Sequence, residues 1–375
     1  MATTPAAPES ARTTGPVTDA DGPPPSAPSG RARSAWERLP VVARTAIFAL
    51  AFAVIGILIA NGISRYRDFQ LAEIAAYLVA VAGLTVLTGL NGQISLGHGA
   101  LMAVGAYCAA VLLLHAHLPL VVVLLLSALA GGVAGVLVGA VAARLRGPYL
   151  AGATLALAVG LPEIPKNYKY FGRDEGLTIN PPLPPGWLGT NAPIERWGAY
   201  ICIIGAAVTL FLLANLSRGR VGRNFRAVRD DEIAASLAGI SVPRTQILAF
   251  TVSAACAGLA GGLLALVTPT VGPGGFSLAL SIQLLVAIVI GGMGNLPGAV
   301  LGSIVLVYLP SWATSISNGV GLSKQIGANL ALAIFGGMLI VVMLAFPGGI
   351  AAAVRRTWWA LTSRRRPATT IPAGP

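Results

Sequence analysis

The chain has 375 residues, of which 55% are hydrophobic and 10% charged, with 25 Lys and Arg against 13 Asp and Glu. A soluble domain carries roughly 25% charged residues, so this composition, with a mean hydropathy of +0.77, excludes one and predicts an all-α polytopic membrane protein. The net charge of +12 would suit nucleic acid, but the arginines are spread over short loops and tails, which fits membrane orientation and no nucleic-acid partner.

Residues 1–34 are rich in Ala, Pro, Thr, Ser and Gly and almost free of large apolar side chains. They cannot bury enough surface to fold and are expected to form a disordered cytoplasmic tail. The segment is too long and too polar to open a cleavable signal peptide, so the first apolar run is expected to remain as an anchor. A permease body is expected over 35–350, followed by a basic cytoplasmic tail at 351–375 with Arg355, Arg356 and Arg364 to Arg366.

Ten apolar runs follow the tail, at 44–62, 71–90, 98–115, 119–143, 149–164, 198–216, 245–267, 278–292, 296–315 and 326–346. A helix needs about 20 apolar residues to cross the hydrocarbon core, and the runs at 149–164 and 278–292 are short of it. Ten crossings leave both termini on one side. With the N-terminus inside, eighteen Lys and Arg lie inside and seven outside, which predicts cytoplasmic N- and C-termini.

The first glycine-rich break sets Gly89, Gly92, Gly97, Gly99 and Gly105 among Asn91, Gln93, Ser95 and His98. Polar groups and helix breakers at membrane depth are costly unless they line a cavity or pack inside the bundle. A second break, Gly291-Gly292-Met293-Gly294-Asn295-Leu296-Pro297-Gly298, stands in the second half. Paired interruptions of this kind suggest a structural repeat with broken helices around a translocation core. The candidate core residues are Asn91, Gly92, Gln93, Ser95, Gly97, His98, Gly99, Gly292, Gly294 and Asn295.

His98 is read as a packed or cavity-lining side chain in preference to a proton relay. His115 and His117 fall at an outer helix end, and no His, Cys or carboxylate cluster has metal-ligand spacing, so no metal site is expected. Cys108, Cys202 and Cys256 each sit in an apolar run as inert packing residues. Glu73 and Glu163 lie near expected outer helix ends, where snorkelling or pairing is the simpler account. The ladders Gly131, Gly135, Gly139 and Gly258, Gly262 make close helix contacts, either within the subunit or with a second permease.

Residues 165–197 form the longest external loop, with Arg173-Asp174-Glu175-Gly176 ahead of Pro181, Pro182, Pro184 and Pro185. Such a stiffened loop is either a docking site for an outside partner or a plain connector.

The long polar island at 217–244 carries Arg218, Arg220, Arg223, Arg226, Arg229 and Arg244 around Asp230-Asp231-Glu232. Asp230 suits a helix N-cap, acidic residues favour the first turn, Gly239 suits the C-terminal cap and Pro243 forbids continuation. A helix over 231–238 is predicted, preceded by a short basic segment with Phe225 and Val228. Ala234, Ala235 and Ala238 allow close approach of a partner, while Arg226, Arg229 and Glu232 can pair with its charges. Arg218 and Arg220 serve orientation. The alternative is a solvated loop that merely follows the positive-inside bias.

The run Glu232-Ile233-Ala234-Ala235 with Gly239 resembles the coupling loop of ABC importer permeases, which fits a cleft on a cytoplasmic ATPase. Asn91-Gly92-Gln93-Ile94-Ser95-Leu96-Gly97-His98-Gly99-Ala100, continuing to Gly105-Ala106-Tyr107, closely resembles the signature of permeases of branched-chain amino-acid ABC importers, of the longer of the two paired types. In register with it stand Gly147-Pro148-Tyr149-Leu150-Ala151 with Thr154 and Leu155, and Gly172 with Gly176-Leu177-Thr178. After the island come Ala249-Phe250, Ala257-Gly258-Leu259-Ala260-Gly261 and Gly291-Gly292-Met293-Gly294-Asn295 with Gly298. The resemblance covers about residues 70–346. It departs from the family at Ile233, which separates Glu232 from Ala234, and in the proline-rich external loop.

The resemblance implies a subunit in a bacterial plasma membrane that moves branched-chain or other hydrophobic amino acids inward from an external binding protein. It also implies cytoplasmic ATPase partners and a second, related permease. The chain has no G-x-x-x-x-G-K-[ST] run, so ATP is expected on a separate subunit, with no cofactor and no catalysis in this one. The related urea permeases tend to carry Gln where His98 stands, which favours amino acids over urea or short amides. An ion-coupled secondary transporter would want an ionisable residue at a helix centre, and none is found in the ten runs as drawn.

Overall fold

The computed structural model describes residues 40–116, 118–145, 148–186 and 193–319, with 333, 334, 336, 337 and 340 besides. The two tails and most of the run at 326–346 lie outside the described residues, as do His117, Arg146 and Gly147.

The described residues are almost entirely helical. In chain order the elements are α1 (Val41–Gly62), α2 (Arg65–Leu84), α3 (His98–His115), α4 (Leu120–Ala142), α5 (Pro148–Gly160), α6 (Glu163–Asn167) and β1 (Leu177–Thr178). They continue as α7 (Ile194–Arg218), α8 (Arg220–Asp230), α9 (Glu232–Leu237), α10 (Val242–Val267), β2 (Thr270–Val271), α11 (Leu278–Gly291) and α12 (Leu296–Gly319). The chain is an all-α polytopic membrane protein. Among the described residues seven helices are long and apolar enough to cross a membrane, and the apolar part of α12, Leu296–Trp312, is shorter. Helix α5, with 13 residues, spans roughly 20 Å and cannot cover the hydrocarbon core alone.

Two helices form the axis of the bundle. Helix α2, followed directly by a π-helical turn at Thr85–Leu90, is the most enclosed span, and α10 packs against α2, α3 and α4. Small residues make this possible. A Cβ on Gly131 would come within 2.5 Å of the Ala254 carbonyl and 2.7 Å of the Gly258 Cα, and one on Gly105 would enter the Gly258 backbone. Both glycine ladders are therefore consumed in contacts between α4 and α10 inside the subunit, which decides between the two accounts left open by their spacing.

Helix α1 is peripheral. It packs on α7, where Thr45 donates to Asn215 Oδ1 at 2.9 Å and Tyr200 donates to Asn61 Oδ1 at 2.7 Å. Its outward residues Phe48, Leu50, Ile55 and Leu58 are exposed, as lipid contact requires of a helix with no charged residue between Arg44 and Gly62.

Helix α2 begins six residues earlier than the apolar run suggests, at Arg65, with Ser64 extended ahead of it and the Ser64 carbonyl accepting from the Asp68 amide at 2.9 Å. Asp68 thus falls within the helix, fully buried and paired with Arg196 of α7 at 3.3 Å. Glu73 lies in the third turn, half-buried, away from the helix end expected for it.

Candidate functional site

The polar island folds as two short helices on the face where α7 ends and α10 begins. Gly222, Phe225 and Val228 are buried on one side of α8. Their three-residue spacing makes an apolar stripe that seats the helix on the bundle, so the basic segment expected as a lead-in is helical. Because α8 runs through Asp230, the N-cap of α9 falls one residue later than expected. Asp231, with extended backbone, accepts from the amides of Ile233 and Ala234 at 2.8 and 3.0 Å.

Gly239 closes α9 with a φ of +81°. The Ile240 amide reaches the Ala235 carbonyl and the Gly239 amide reaches Ser236, both at 3.0 Å, the paired bonds of a Schellman cap. Glu232 accepts from Gln246 of α10 at 2.9 Å. Ala235 is buried against the protein, whereas Ala234, Ile233 and Leu237 are exposed. Ile233 and Leu237, four residues apart, present two large apolar side chains on one side of a six-residue helix. Sequence reasoning treated Ile233 as a spacer and passed over Leu237, although the i, i+4 pattern in a polar stretch was the available signal.

The two glycine breaks meet directly behind these helices. The π-turn ends with the Gly92 amide on the Thr88 carbonyl, the Gln93 amide on the Leu87 carbonyl and the Thr88 hydroxyl on the Gln93 carbonyl. A Cβ on Gly89 would enter the Gly294 backbone. Gly292 and Gly294 have φ of +100° and +80°, and the Asn295 carbonyl accepts from the amides of Gly298 and Ala299 at the start of α12.

Arginines tie the island to these breaks. Arg229 donates through Nη1 to the Gly89 carbonyl at 2.8 Å and through Nε and Nη2 to Asp230 Oδ1 at 3.0 and 2.8 Å. Its stem crosses Gly92, where a Cβ would come within 2.8 Å of Arg229 Cγ. Arg226 donates to the Ser217 carbonyl at 3.0 Å and borders a cavity of about 520 Å³ shared with Gly294 and Asn295. Both guanidinium groups, expected to face a partner, are thus engaged within the chain.

The remaining core candidates lie on either side of this junction. Asn91 and Gln93 are buried and border a cavity of about 800 Å³ between the first break, α9 and the start of α10. Neither amide atom of Asn91 and no side-chain oxygen of Gln93 has a hydrogen-bond partner among the described residues. Ser95 accepts weakly from the Gly97 amide at 3.4 Å. His98 is fully enclosed, its ring close to the Ala80 carbonyl without a hydrogen bond of good geometry. The Gly99 amide donates to Ser281 of α11 at 3.0 Å, and the Leu96 amide donates to Thr154 of α5 at 3.1 Å. Ser281 and Thr154 thus hold the entry to α3, through contacts across 182 and 58 residues.

The opposite face carries the loop that begins at 165. Lys166 and Glu163 pair on α6, and the hydrogen bond to the Glu163 carboxylate raises the Lys166 ammonium above its ordinary value. With Asp174 and Ser277 they border a cavity of about 410 Å³. Strand β1 pairs antiparallel with β2, Leu177 opposite Val271. Gly176, with φ of +74°, leaves no room for a Cβ against Val271. His115 stacks on Tyr170 at 5.3 Å between ring centroids. The described part of this loop is therefore built into the protein and is more than a tether.

Comparison with known proteins agrees with this architecture. A family model described as "Branched-chain amino acid transport system / permease component" matches residues 66–343. The high-affinity branched-chain amino acid transport system permease protein LivM of Salmonella typhimurium is 29% identical over 331 residues, covering 81% of this chain and 74% of that protein. LivM of Escherichia coli K12 is 30% identical over 300 residues, covering 73% and 67%. The permease protein LivH of Salmonella typhimurium is 27% identical over 291 residues, covering 74% and 91%. No solved structure matches the chain.

Proposed function

The chain belongs to the family of branched-chain amino acid transport permease components, and from that premise we propose that it is the longer permease subunit of an ATP-driven ABC importer. It carries branched-chain or related hydrophobic amino acids inward across a bacterial plasma membrane. A related permease of the LivH kind completes the pathway, an external binding protein delivers substrate, and ATPase subunits dock on α9 from the cytoplasm. Both termini are then cytoplasmic, and the face with β1, β2 and α6 looks outward.

The observation that carries this reading is the construction of α9. A six-residue helix is too short to persist by propensity alone. Here it is capped at both ends, backed by buried Ala235 and by Gln246, and presents Ile233 and Leu237 outward. Exposed apolar side chains held rigidly outside a membrane domain suit a hydrophobic cleft on a soluble partner. Closure of an ATPase dimer would then move α9, and with it the balance between two states of the bundle.

Uptake of labelled leucine into proteoliposomes tests the proposal. It is expected to need ATP, the binding protein and both permeases, and to be lost in Glu232→Lys, which reverses the charge facing Gln246. Uptake that follows a proton gradient without ATP, or that persists in Glu232→Lys, would sink the proposal.

A further inference from the structure

We propose that Arg229 is the positioning residue that carries movement of α9 into the paired helix breaks, a role that rests on the reading of α9 as the ATPase contact. Three features of its surroundings support this assignment.

First, the guanidinium is forked between the last residue of its own helix α8 and the first break. One prong holds Asp230, the residue immediately before the Asp231 cap of α9, and the other holds the Gly89 carbonyl, 140 positions away in sequence. Second, the Gly89 carbonyl is one of the last carbonyls of a helix that breaks after Leu90, so it lacks a continuing turn to supply a donor. A cation there meets the negative end of the helix dipole and makes a charge-assisted bond, stronger than a neutral one. Third, the seat has no slack. The Arg229 stem lies on Gly92, whose φ of +77° is left-handed, and Gly89 abuts the backbone of Gly294. A displacement of the α8–α9 corner must therefore move the first break, and the first break cannot shift without the second.

Arg226 donates elsewhere, to the Ser217 carbonyl at the end of α7. Among the island arginines in the described residues, Arg229 is the one seen to donate to a break carbonyl, and it does so from the last turn of α8, two positions before the Asp231 cap of α9.

The test uses the assembled transporter with its ATPases and binding protein in proteoliposomes. Arg229→Met keeps the stem on Gly92 and removes every donor. The leucine delivered per ATP hydrolysed is expected to fall roughly tenfold or more, the range of a single two-state coupling, with partial recovery in Arg229→Lys. A structural readout accompanies it. Met293 is exposed at the second break, and a thiol placed there in a Cys108→Ala background is expected to label at different rates with and without ATP. That difference should vanish in Arg229→Met. Gly92→Ala, which crowds the stem without touching α9, should lower the same ratio.

An unchanged ratio in both Arg229→Met and Gly92→Ala, with nucleotide-dependent labelling retained, overturns the proposal. Loss of ATPase co-purification in Arg229→Met also overturns it, because Arg229 would then belong to the docking surface. A parent complex that shows neither ATP-dependent uptake nor ATPase co-purification refutes instead the reading of α9 on which the proposal stands.

Discussion

At the scale of single residues, glycine decides what the breaks can be. Gly89 has no room for a side chain because the Gly294 backbone occupies it, whereas a Cβ on Gly152 meets nothing within 4 Å. The two positions make an internal control. Gly89→Ala is expected to destabilise the purified permease by about 1–3 kcal/mol through overpacking, while Gly152→Ala, in the middle of α5, should be neutral or stabilise by up to about 1 kcal/mol. Melting temperatures in detergent separate the two, and a Gly89→Ala protein as stable as the parent would refute the junction described. The glycines themselves were plain in the sequence. That Gly89 faces Gly294 was not, because the two stand 205 positions apart and no periodic signal reports a backbone contact at that separation. The same holds for Arg229, which reads locally as one more cation in a basic loop and takes its meaning from a carbonyl 140 positions away.

At the scale of elements, α9 shows how far local chemistry reaches. Gly239 and Pro243 stop the helix where turn rules place its end, and an aspartate starts it. The sequence reading puts that start one residue early, at Asp230, because the burial of Phe225 and Val228 that carries α8 through Asp230 is not visible in the local pattern. Asp231→Ala is expected to cost about 1 kcal/mol of local helix stability, visible as faster amide exchange at Ile233 and Ala234. Asp230→Ala should leave those amides protected. Equal exchange in the two variants would show that the cap is not where the structure places it. Among the described residues the helices were legible from apolar runs to within a few residues, except that α2 starts at Arg65 and draws Asp68 and Glu73 into the helix. Seven of the ten expected crossings are long and apolar enough to span, and the run at 326–346 lies mostly outside the described residues. A charged pair such as Asp68 with Arg196 breaks an apolar run in sequence while satisfying it in space.

At the scale of the whole molecule, the bundle divides its labour between two faces. One presents α8 and α9 and carries the glycine junction behind them. The other binds its own loop through β1, β2 and the stack of His115 on Tyr170. Family membership follows from motifs spread across most of the chain, but partner contacts belong to surfaces that a single chain leaves open. The glycine ladders illustrate this limit: their spacing promised a close helix contact, and only the structure shows that α4 and α10 consume it internally.

The most direct test of the proposed importer places a photo-crosslinking amino acid at Leu237 on α9 and, separately, at Leu183 on the opposite face, in cells that express the ATPase subunits and the binding protein. Both side chains are exposed. An adduct with the ATPase from Leu237, and none from Leu183, is the expected result. An ATPase adduct from Leu183, or an adduct between Leu237 and the binding protein, would contradict the account.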